Sequence, residues 1–203
     1  MSATLRAHTL WAHTLWDWRR RVSALYADVR ANPDPHAAWL HWRAGRDALF
    51  ATHPQTPLDG PAAPLPFFDY DPALRFAVPL VPHDGDPVPF DAGSDGTIMM
   101  RPFARVTLGG LGSLTLFWIM GYGGGVFLPF RDATSGRETY GAGRYALDTI
   151  KGADLGSVGD AALIDLNFAY NPSCAYSPRY VCPLAPLQNR LIGSVCAGEM
   201  TPA

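Results

Sequence analysis

The segment TIMMRPFARVTLGGLGSLTLFWIM, residues 97–120, decides the fold class of this chain. Its two arms, residues 98–108 and 113–120, are rich in β-branched, aromatic and other apolar residues, and the glycine-rich segment 109–112 separates them. Apolar arms of this length joined by a short glycine-containing turn are typical of an antiparallel hairpin. We therefore predict that this stretch forms the centre of a sheet.

Further strands are predicted after the hairpin, near residues 126–130, 138–150 and 161–167. The turns between them fall at residues 121–125 and 132–136, because glycine adopts positive φ and Asp, Thr and Ser bond their own backbone. Closely spaced prolines beyond residue 169 exclude regular helix and predict an irregular proline-rich C-terminal tail.

Two helices are predicted before the sheet. Apolar residues recur at alternating steps of four and three from Trp11 to about Arg30, which places them on one helical stripe. Asp34 followed by Pro35 is typical of a helix start, and the second helix runs to about residue 51. We expect Trp39, Trp42, Leu49 and Phe50 to form its apolar side and Arg43, Arg46 and Asp47 to face elsewhere.

The pattern as a whole predicts an α+β protein, with two N-terminal helices followed by a mainly antiparallel β-sheet that is barrel- or sandwich-like. The 203 residues are interpreted as one domain, 1–203. Its parts are a helical segment (1–52), a proline-rich connection with one short strand near 74–80 (53–96), the antiparallel β core (97–168) and the irregular tail (169–203).

Composition excludes some classes of function. A net charge of −2 without a basic block argues against nucleic acid as a partner. No run of 18 uncharged apolar residues occurs, so no membrane association is expected. Three cysteines, an odd number, and the lack of a signal-peptide pattern predict a reducing cytoplasm. The oligomeric state stays open.

Polar and aromatic residues concentrate in two segments, 131–145 and 170–182. Arginine and tyrosine side chains that converge form a site for an anion or carboxylate, since guanidinium offers a rigid fork of donors. The alternative is that these residues pack and cap a turn. The predicted ligand-binding residues are Arg131, Asp132, Thr134, Tyr140, Arg144, Tyr145, Asn167, Tyr170, Asn171 and Tyr176.

Cys174 and His53 are the candidate catalytic residues. A cysteine among Tyr, Asn and Asp can serve as a nucleophile or redox thiol when a cation lowers its pKa. Cys174 with Cys182 is the alternative metal site, although seven intervening residues do not match a zinc knuckle. The plainer interpretations are buried thiols that pack the tail and a His53 that caps the last carbonyls of the second helix.

Several short motifs together resemble one family. They are HPQTPL (53–58), FRDATSG (130–136), GRY (143–145), AYNPSCAY (169–176), CP (182–183) and AGE (197–199). The chain resembles the bacterial and archaeal "domain of unknown function 1684" family over about residues 35–200, with Cys196 outside the pattern. The resemblance implies no activity or cofactor. It implies that the two polar segments belong to one site.

Three functions follow as hypotheses. The first is the binding of a small polar or anionic ligand between residues 131–145 and 170–182. The second is an enzyme that uses Cys174, and the third is a structural or partner-binding domain without a ligand. The cofactor, if there is one, is unknown.

Overall fold

The computed structural model of the chain describes residues 3–61, 63–93 and 96–202. The helices Ala3–Ala31 (α1) and Pro35–Thr52 (α2) come first. The strands that follow are β1 Arg75–Val78, β2 Val81–Pro82, β3 Val88–Asp91, β4 Thr97–Thr107, β5 Ser113–Ile119, β6 Gly125–Phe130, β7 Arg144–Asp148, β8 Ser157–Val158 and β9 Ala161–Asp165. All their pairings are antiparallel, and within the described ranges they do not close into a barrel. The predicted α+β class is confirmed.

Helix α1 begins at Ala3, before the predicted start at Trp11. Alanine, leucine and arginine in this first part are good helix formers, and the hydroxyls of Thr9 and Thr14 donate to carbonyls one turn earlier. The burial of α1 is confined to its C-terminal half, where Leu25, Tyr26 and Val29 are the buried residues. Within the described ranges, no helix has both the length and the apolar character needed to cross a membrane.

Helix α2 begins as predicted. Asp34 accepts hydrogen bonds from the backbone N–H groups of His36 and Ala37, and Pro35 occupies the first helical turn. The two helices approach closely at Gly45, where a Cβ atom would lie 2.7 Å from Leu25 Cδ1. Trp39 and Trp42 of α2 pack in one apolar cluster with Tyr26 of α1 and with Phe168, which follows β9.

The predicted hairpin is β4 and β5, with Met100 opposite Ile119 and Thr107 opposite Ser113. It forms the middle of a six-stranded sheet in the order β2-β4-β5-β6-β7, and β3 also pairs with β4. A second sheet has the order β1-β9-β8. Both sheets contribute to one apolar core, which includes Val106 and Leu128 from the first and Ile164 from the second.

The predicted strand at 138–150 is wrong in its first half. Only Arg144–Asp148 forms a strand, and residues 138–143 belong to the preceding turn. Gly143, with φ of 99°, explains this boundary, because its ideal Cβ would lie 2.5 Å from the Phe130 carbonyl oxygen. Thr139 and Tyr140 therefore lie in a compact turn and not along a strand.

Hydrogen bonds attach residues 166–202, the C-terminal segment that follows β9, to the sheet. The buried Asn189 side chain accepts from Thr115 N–H at 2.9 Å and donates to the carbonyls of Thr115 and Pro129, each at 2.8 Å. On its β4 side, Thr115 lies opposite Arg105. On the other side the pairing with β6 covers only Phe117 to Ile119 of β5, and the Asn189 side chain bonds Thr115 in place of a β6 residue. Farther on, Glu199 N–H donates to the Ala169 carbonyl at 2.8 Å. Residues 170–182 are thereby held beside the helices.

Candidate functional site

A cavity of about 250 Å³ lies where α1, α2 and the C-terminal segment meet. One side is formed by Leu15, Trp18, Val22 and Tyr26 of α1, and Arg46 and Phe50 come from α2. The opposite side is formed by a β7 residue and the segment after β9: Tyr145, Tyr170, Asn171, Pro172, Ser173, Tyr176, Tyr180, Val181 and Cys182. The wall is therefore mainly aromatic, with polar groups from α2 and the C-terminal segment.

Arg46 and Glu199 form a buried ion pair beside this cavity. Arg46 Nη2 lies 2.9 Å from Glu199 Oε2, and the Glu199 side chain has no exposed surface. The same carboxylate accepts from Asn171 N–H at 2.9 Å and from the Tyr176 hydroxyl. Burial alone would lower the pKa of Arg46, but the Glu199 charge raises it above its ordinary value. Arg46 is therefore a permanent cation in the wall.

Arg46 also stacks on aromatic rings. Its Cζ lies 4.4 Å from the ring centroid of Phe50 and 5.0 Å from that of Tyr170. Such contacts fix the plane of the guanidinium and favour its charge. The expectation that Arg46 faces away from the apolar side of α2 is wrong, since Trp42, Arg46 and Phe50 are four residues apart and share one helical face.

Two buried polar atoms of the wall lack a hydrogen-bond partner among the described residues. They are Arg46 Nε, a donor, and Asn171 Oδ1, an acceptor. The amide nitrogen of Asn171 donates to the Met200 carbonyl at 2.7 Å, which fixes the orientation of the side chain. Buried donors and acceptors are usually satisfied, so these two enclosed atoms are exceptions within the wall.

The buried tyrosines of the wall act as neutral phenols. Burial raises the pKa values of Tyr145, Tyr170 and Tyr176 well above the ordinary value of 10.0. Tyr145 donates to the Pro183 carbonyl at 2.7 Å. Its ring meets that of Tyr170 edge to face, with centroids 5.7 Å apart. These rings offer aromatic surface and hydroxyl groups but no negative charge at neutral pH.

The charged residues that line the cavity are all cationic. Arg19 and Lys151 stand at its exposed side and Arg46 deeper, whereas none of the described lining residues is Asp or Glu. Lys151 Nζ lies 3.4 Å from Asp148 Oδ2, and its side chain is 51% exposed. The carboxylates of Glu199 and Asp148 balance two of these charges from behind the wall. The cavity surface is therefore suited to an anion.

The predicted residues Asp132 and Thr134 lie in the buried turn, Arg144 begins β7, and none of the three lines this cavity. Arg144 Nη2 bonds Asp132 Oδ2 at 2.9 Å, and its other donors reach the carbonyls of Val195, Ala197 and Glu199. Asp132 Oδ1 accepts from the N–H and the hydroxyl of Thr134, both at 2.6 Å. The polar groups of these side chains bond other groups of the protein. This agrees with the alternative interpretation, in which the residues pack and cap a turn.

Arg131 and Asn167 also have partners away from the cavity. Arg131 Nε donates to the Ala142 carbonyl at 3.2 Å. Asn167 exchanges two hydrogen bonds with the backbone of Asp71, each at 2.8 Å, and donates to Asp165. Of the predicted ligand-binding set, the residues that line the cavity are Tyr145, Tyr170, Asn171 and Tyr176.

Cys174, Cys182 and Tyr140 form a second cluster, which shares Cys182 with the cavity wall. Cys174 N–H donates to Cys182 Sγ at 3.4 Å, and the Tyr140 hydroxyl lies 3.7 Å from Cys174 Sγ. The hydrogen bond from Cys182, helped by that from Tyr140, lowers the pKa of Cys174 to about 6 although burial opposes the shift. The hydrogen bond with Cys174 raises the pKa of Cys182, and burial adds to that shift. The contact between the thiols thus favours a thiolate on one of them, and the Tyr140 hydroxyl favours Cys174.

His53 links the end of α2 to α1. Its Nε2 lies 3.2 Å from Asp17 Oδ2, and its Nδ1 accepts from Gln55 N–H at 3.1 Å. Its ring meets Trp18 edge to face at 5.2 Å between centroids. His53 is the C-cap residue of α2, and its backbone N–H donates to the Leu49 carbonyl at 3.0 Å. The cap is made by the backbone, because the ring accepts from Gln55 N–H and contacts Asp17.

No group of three or more His, Cys, Asp or Glu side chains in the described ranges is arranged to hold a metal ion. A metal at Cys174 and Cys182 would therefore need further ligands that this part of the chain does not place there.

Sequence reasoning missed the helical half of the cavity. Trp18 and Val22 lie on the apolar stripe predicted for the first helix, and that pattern alone gives them no role in a site. The four-residue spacing of Trp42, Arg46 and Phe50 was the available signal for Arg46.

The sequence matches the family described as "Protein of unknown function (DUF1684)" over residues 63–200. The chain belongs to this family, whose members are defined by their sequence and not by an activity. The match begins after the HPQTPL motif, so His53, α1 and α2 lie outside it. The helical side of the cavity is thus outside the matched segment, and the C-terminal side is within it.

One similar solved structure is the solution NMR structure of the uncharacterized protein from gene locus rrnAC0354 of Haloarcula marismortui. It is 32% identical to this chain, covers 78% of it and 90% of its own length, and superposes with a TM-score of 0.55. No curated protein matches the chain significantly.

Proposed function

We propose that the protein binds a small anionic ligand with an aromatic or apolar body in the cavity between α1, α2 and the C-terminal segment. The observation that carries the proposal is the wall itself, which combines aromatic rings with Arg19, Arg46 and Lys151 and has no carboxylate among its described lining residues. Cytoplasmic location remains part of the proposal, since the described cysteines are all free thiols.

Size narrows the ligand class. The volume of about 250 Å³ is below the range of roughly 300–1,000 Å³ that holds drug-sized molecules, so the ligand is about the size of a single substituted ring. The rings of Trp18, Phe50 and Tyr170 would contact such a body. Arg19 and Lys151, at the exposed side of the cavity, would pair with the anionic group of the ligand.

The test is a thermal-stability screen of the purified protein. Benzoate, phenyl phosphate and their hydroxylated derivatives are compared with neutral analogues such as benzamide. Binding to the folded state raises Tm in a concentration-dependent manner, so the anionic members should raise it and the neutral ones should not. Equal responses to charged and neutral members, or none at all, would contradict the proposal.

Variants localise the response. Arg19→Gln and Lys151→Gln remove exposed cations and should weaken binding of the anions about two- to five-fold each, with little change in the Tm of the free protein. Arg105→Gln is the matched control, because Arg105 is exposed on β4 and does not line the cavity. A uniform loss in all three variants would indicate non-specific attraction to the surface.

A further inference from the structure

We propose that Cys174 and Cys182 form a redox-active dithiol that exchanges with low-molecular-weight disulfides. The proposal is independent of ligand binding in the cavity. It concerns a reaction for which Cys174 is the attacking sulfur and Cys182 the resolving sulfur.

The geometry of the two cysteines carries this inference. Both lie in the C-terminal segment, which Glu199 and Asn171 fix beside the helices. Cys174 N–H donates to Cys182 Sγ at 3.4 Å, so the second sulfur already lies against the backbone of the first residue. Both side chains are partly exposed, which leaves room for a small reactant.

The surroundings distinguish the two thiols. Tyr140 places its hydroxyl 3.7 Å from Cys174 Sγ, and that hydroxyl also lies 3.4 Å from the Cys174 carbonyl. The positive charge of Lys151 favours the thiolate of either cysteine, so the Tyr140 hydroxyl is the group that distinguishes Cys174. An attacking thiol is most effective when its pKa is near the ambient pH, and the hydrogen bonds from Cys182 and from the Tyr140 hydroxyl move the pKa of Cys174 in that direction.

The exchange runs in two steps. The Cys174 thiolate attacks one sulfur of a disulfide RSSR, the S–S bond of the reactant breaks, and one RS group leaves and takes up a proton. Cys182 then loses its proton, its sulfur attacks the Cys174 sulfur of the mixed disulfide, and the second RSH leaves. Two electrons pass from the protein dithiol to RSSR, and the protein retains a Cys174–Cys182 disulfide.

The experiment treats the full-length reduced protein with glutathione disulfide, blocks the remaining thiols with an alkylating agent and maps the linked peptides. We expect an intramolecular Cys174–Cys182 disulfide as the main product, with Cys196 still alkylated. In the Cys182→Ser variant the reaction should stop after the first step, with a stable glutathione adduct on Cys174. Cys174→Ser should slow thiol consumption by about tenfold or more, because the remaining thiols are less activated.

Cys196→Ser is the matched control, since Cys196 is the exposed cysteine and lies outside the cluster. It should behave as the wild type does. A lasting glutathione adduct on Cys174 of the wild type, equal reaction at Cys196, or no reaction at Cys174 would each overturn the proposal. Circular dichroism of every variant separates these outcomes from a loss of folding.

Discussion

Arg46 Nη2 lies 2.9 Å from Glu199 Oε2, and this ion pair joins α2 to the C-terminal end of the described chain. The pair stands directly behind the wall of the cavity, where Asn171 and Tyr176 bond the same carboxylate. A buried ion pair of this kind fixes the orientation of its partners even when its net contribution to stability is small. The pair thereby fixes Arg46 and Asn171, and Arg46 Nε and Asn171 Oδ1 have no hydrogen-bond partner among the described residues.

Glu199→Gln tests the pair. It keeps the shape of the side chain but leaves Arg46 as an uncompensated buried cation, so the free energy of unfolding should fall by about 3–5 kcal/mol. Urea unfolding followed by tryptophan fluorescence measures the change. If the ligand is an anion, its stabilising effect should be larger in this variant than in the wild type, and an unchanged or smaller effect would contradict an anionic ligand.

Asp132→Ala tests the buried turn. Loss of the Asp132 carboxylate leaves the fully buried Arg144 without a counter-charge, which should lower the free energy of unfolding by about 3–5 kcal/mol. Arg101→Ala is the control, because its ion pair with Asp84 is exposed and 3.8 Å long, and should change stability by less than about 1 kcal/mol. A stable Asp132→Ala protein that loses ligand binding would instead assign this turn to the site.

Asn189→Ala tests the attachment of the C-terminal segment. The substitution leaves the buried Thr115 N–H and carbonyl groups without their partner, so stability should fall by about 2–4 kcal/mol. Gln188→Ala, at the exposed neighbouring position, is the control. Hydrogen exchange at Thr115 N–H provides the local measurement, and protection that survives the substitution would contradict this role.

Tyr140→Phe tests the activation of Cys174. Loss of the hydroxyl donor should move the pKa of Cys174 upward from about 6 toward the ordinary value of 9.0. The alkylation rate of Cys174 at mildly acidic pH should therefore fall several-fold, while the rate in alkaline solution stays the same. Tyr122→Phe, at a fully exposed tyrosine, should leave the profile unchanged. A profile that Tyr140→Phe does not shift would contradict the role of the hydroxyl.

The raised pKa of Asp165 should make the stability of the protein depend on pH. Burial raises its pKa from 3.8 to about 6, although Asn167 and Arg75 oppose the shift. Because the folded pKa is above the unfolded one, the folded state takes up the proton first as pH falls. The Asp165 contribution to the free energy of unfolding should thus rise from about pH 7 to about pH 4, by up to roughly 2 kcal/mol.

Comparison with Asp165→Asn isolates this contribution from other groups. The stability of the variant minus that of the wild type should decrease as pH falls through this range. A difference that grows instead would mean that Arg75, whose Nε lies 3.5 Å from Asp165 Oδ2, lowers the folded pKa.

Local sequence signals predicted much of the fold. The hairpin of β4 and β5 and the Asp34 cap of α2 depend on neighbouring residues, and both occur where the sequence placed them. The candidate cavity was not predictable in the same way. Arg46 and Glu199 are 153 positions apart, and Asn189 replaces a strand pair across 74 positions. Such contacts are set by tertiary packing, which a local pattern does not encode.

The polar segments illustrate the same limit. Residues 131–145 contain three Arg and two Tyr, and residues 170–182 contain three Tyr, one Arg and one Asn. The first segment uses most of its polar groups within the protein, whereas the second lines a cavity. Composition identified the residues but could not assign their partners.

The most direct test of the central claim is a titration of the isotope-labelled protein with benzoate, followed by two-dimensional NMR. We predict saturable shifts that begin at the Trp18 indole N–H and at the backbone amides of Tyr170 and Asn171, with far smaller shifts for benzamide. Non-saturating shifts spread over the surface, or equal shifts with benzamide, would contradict an anion-binding cavity between the helices and the C-terminal segment.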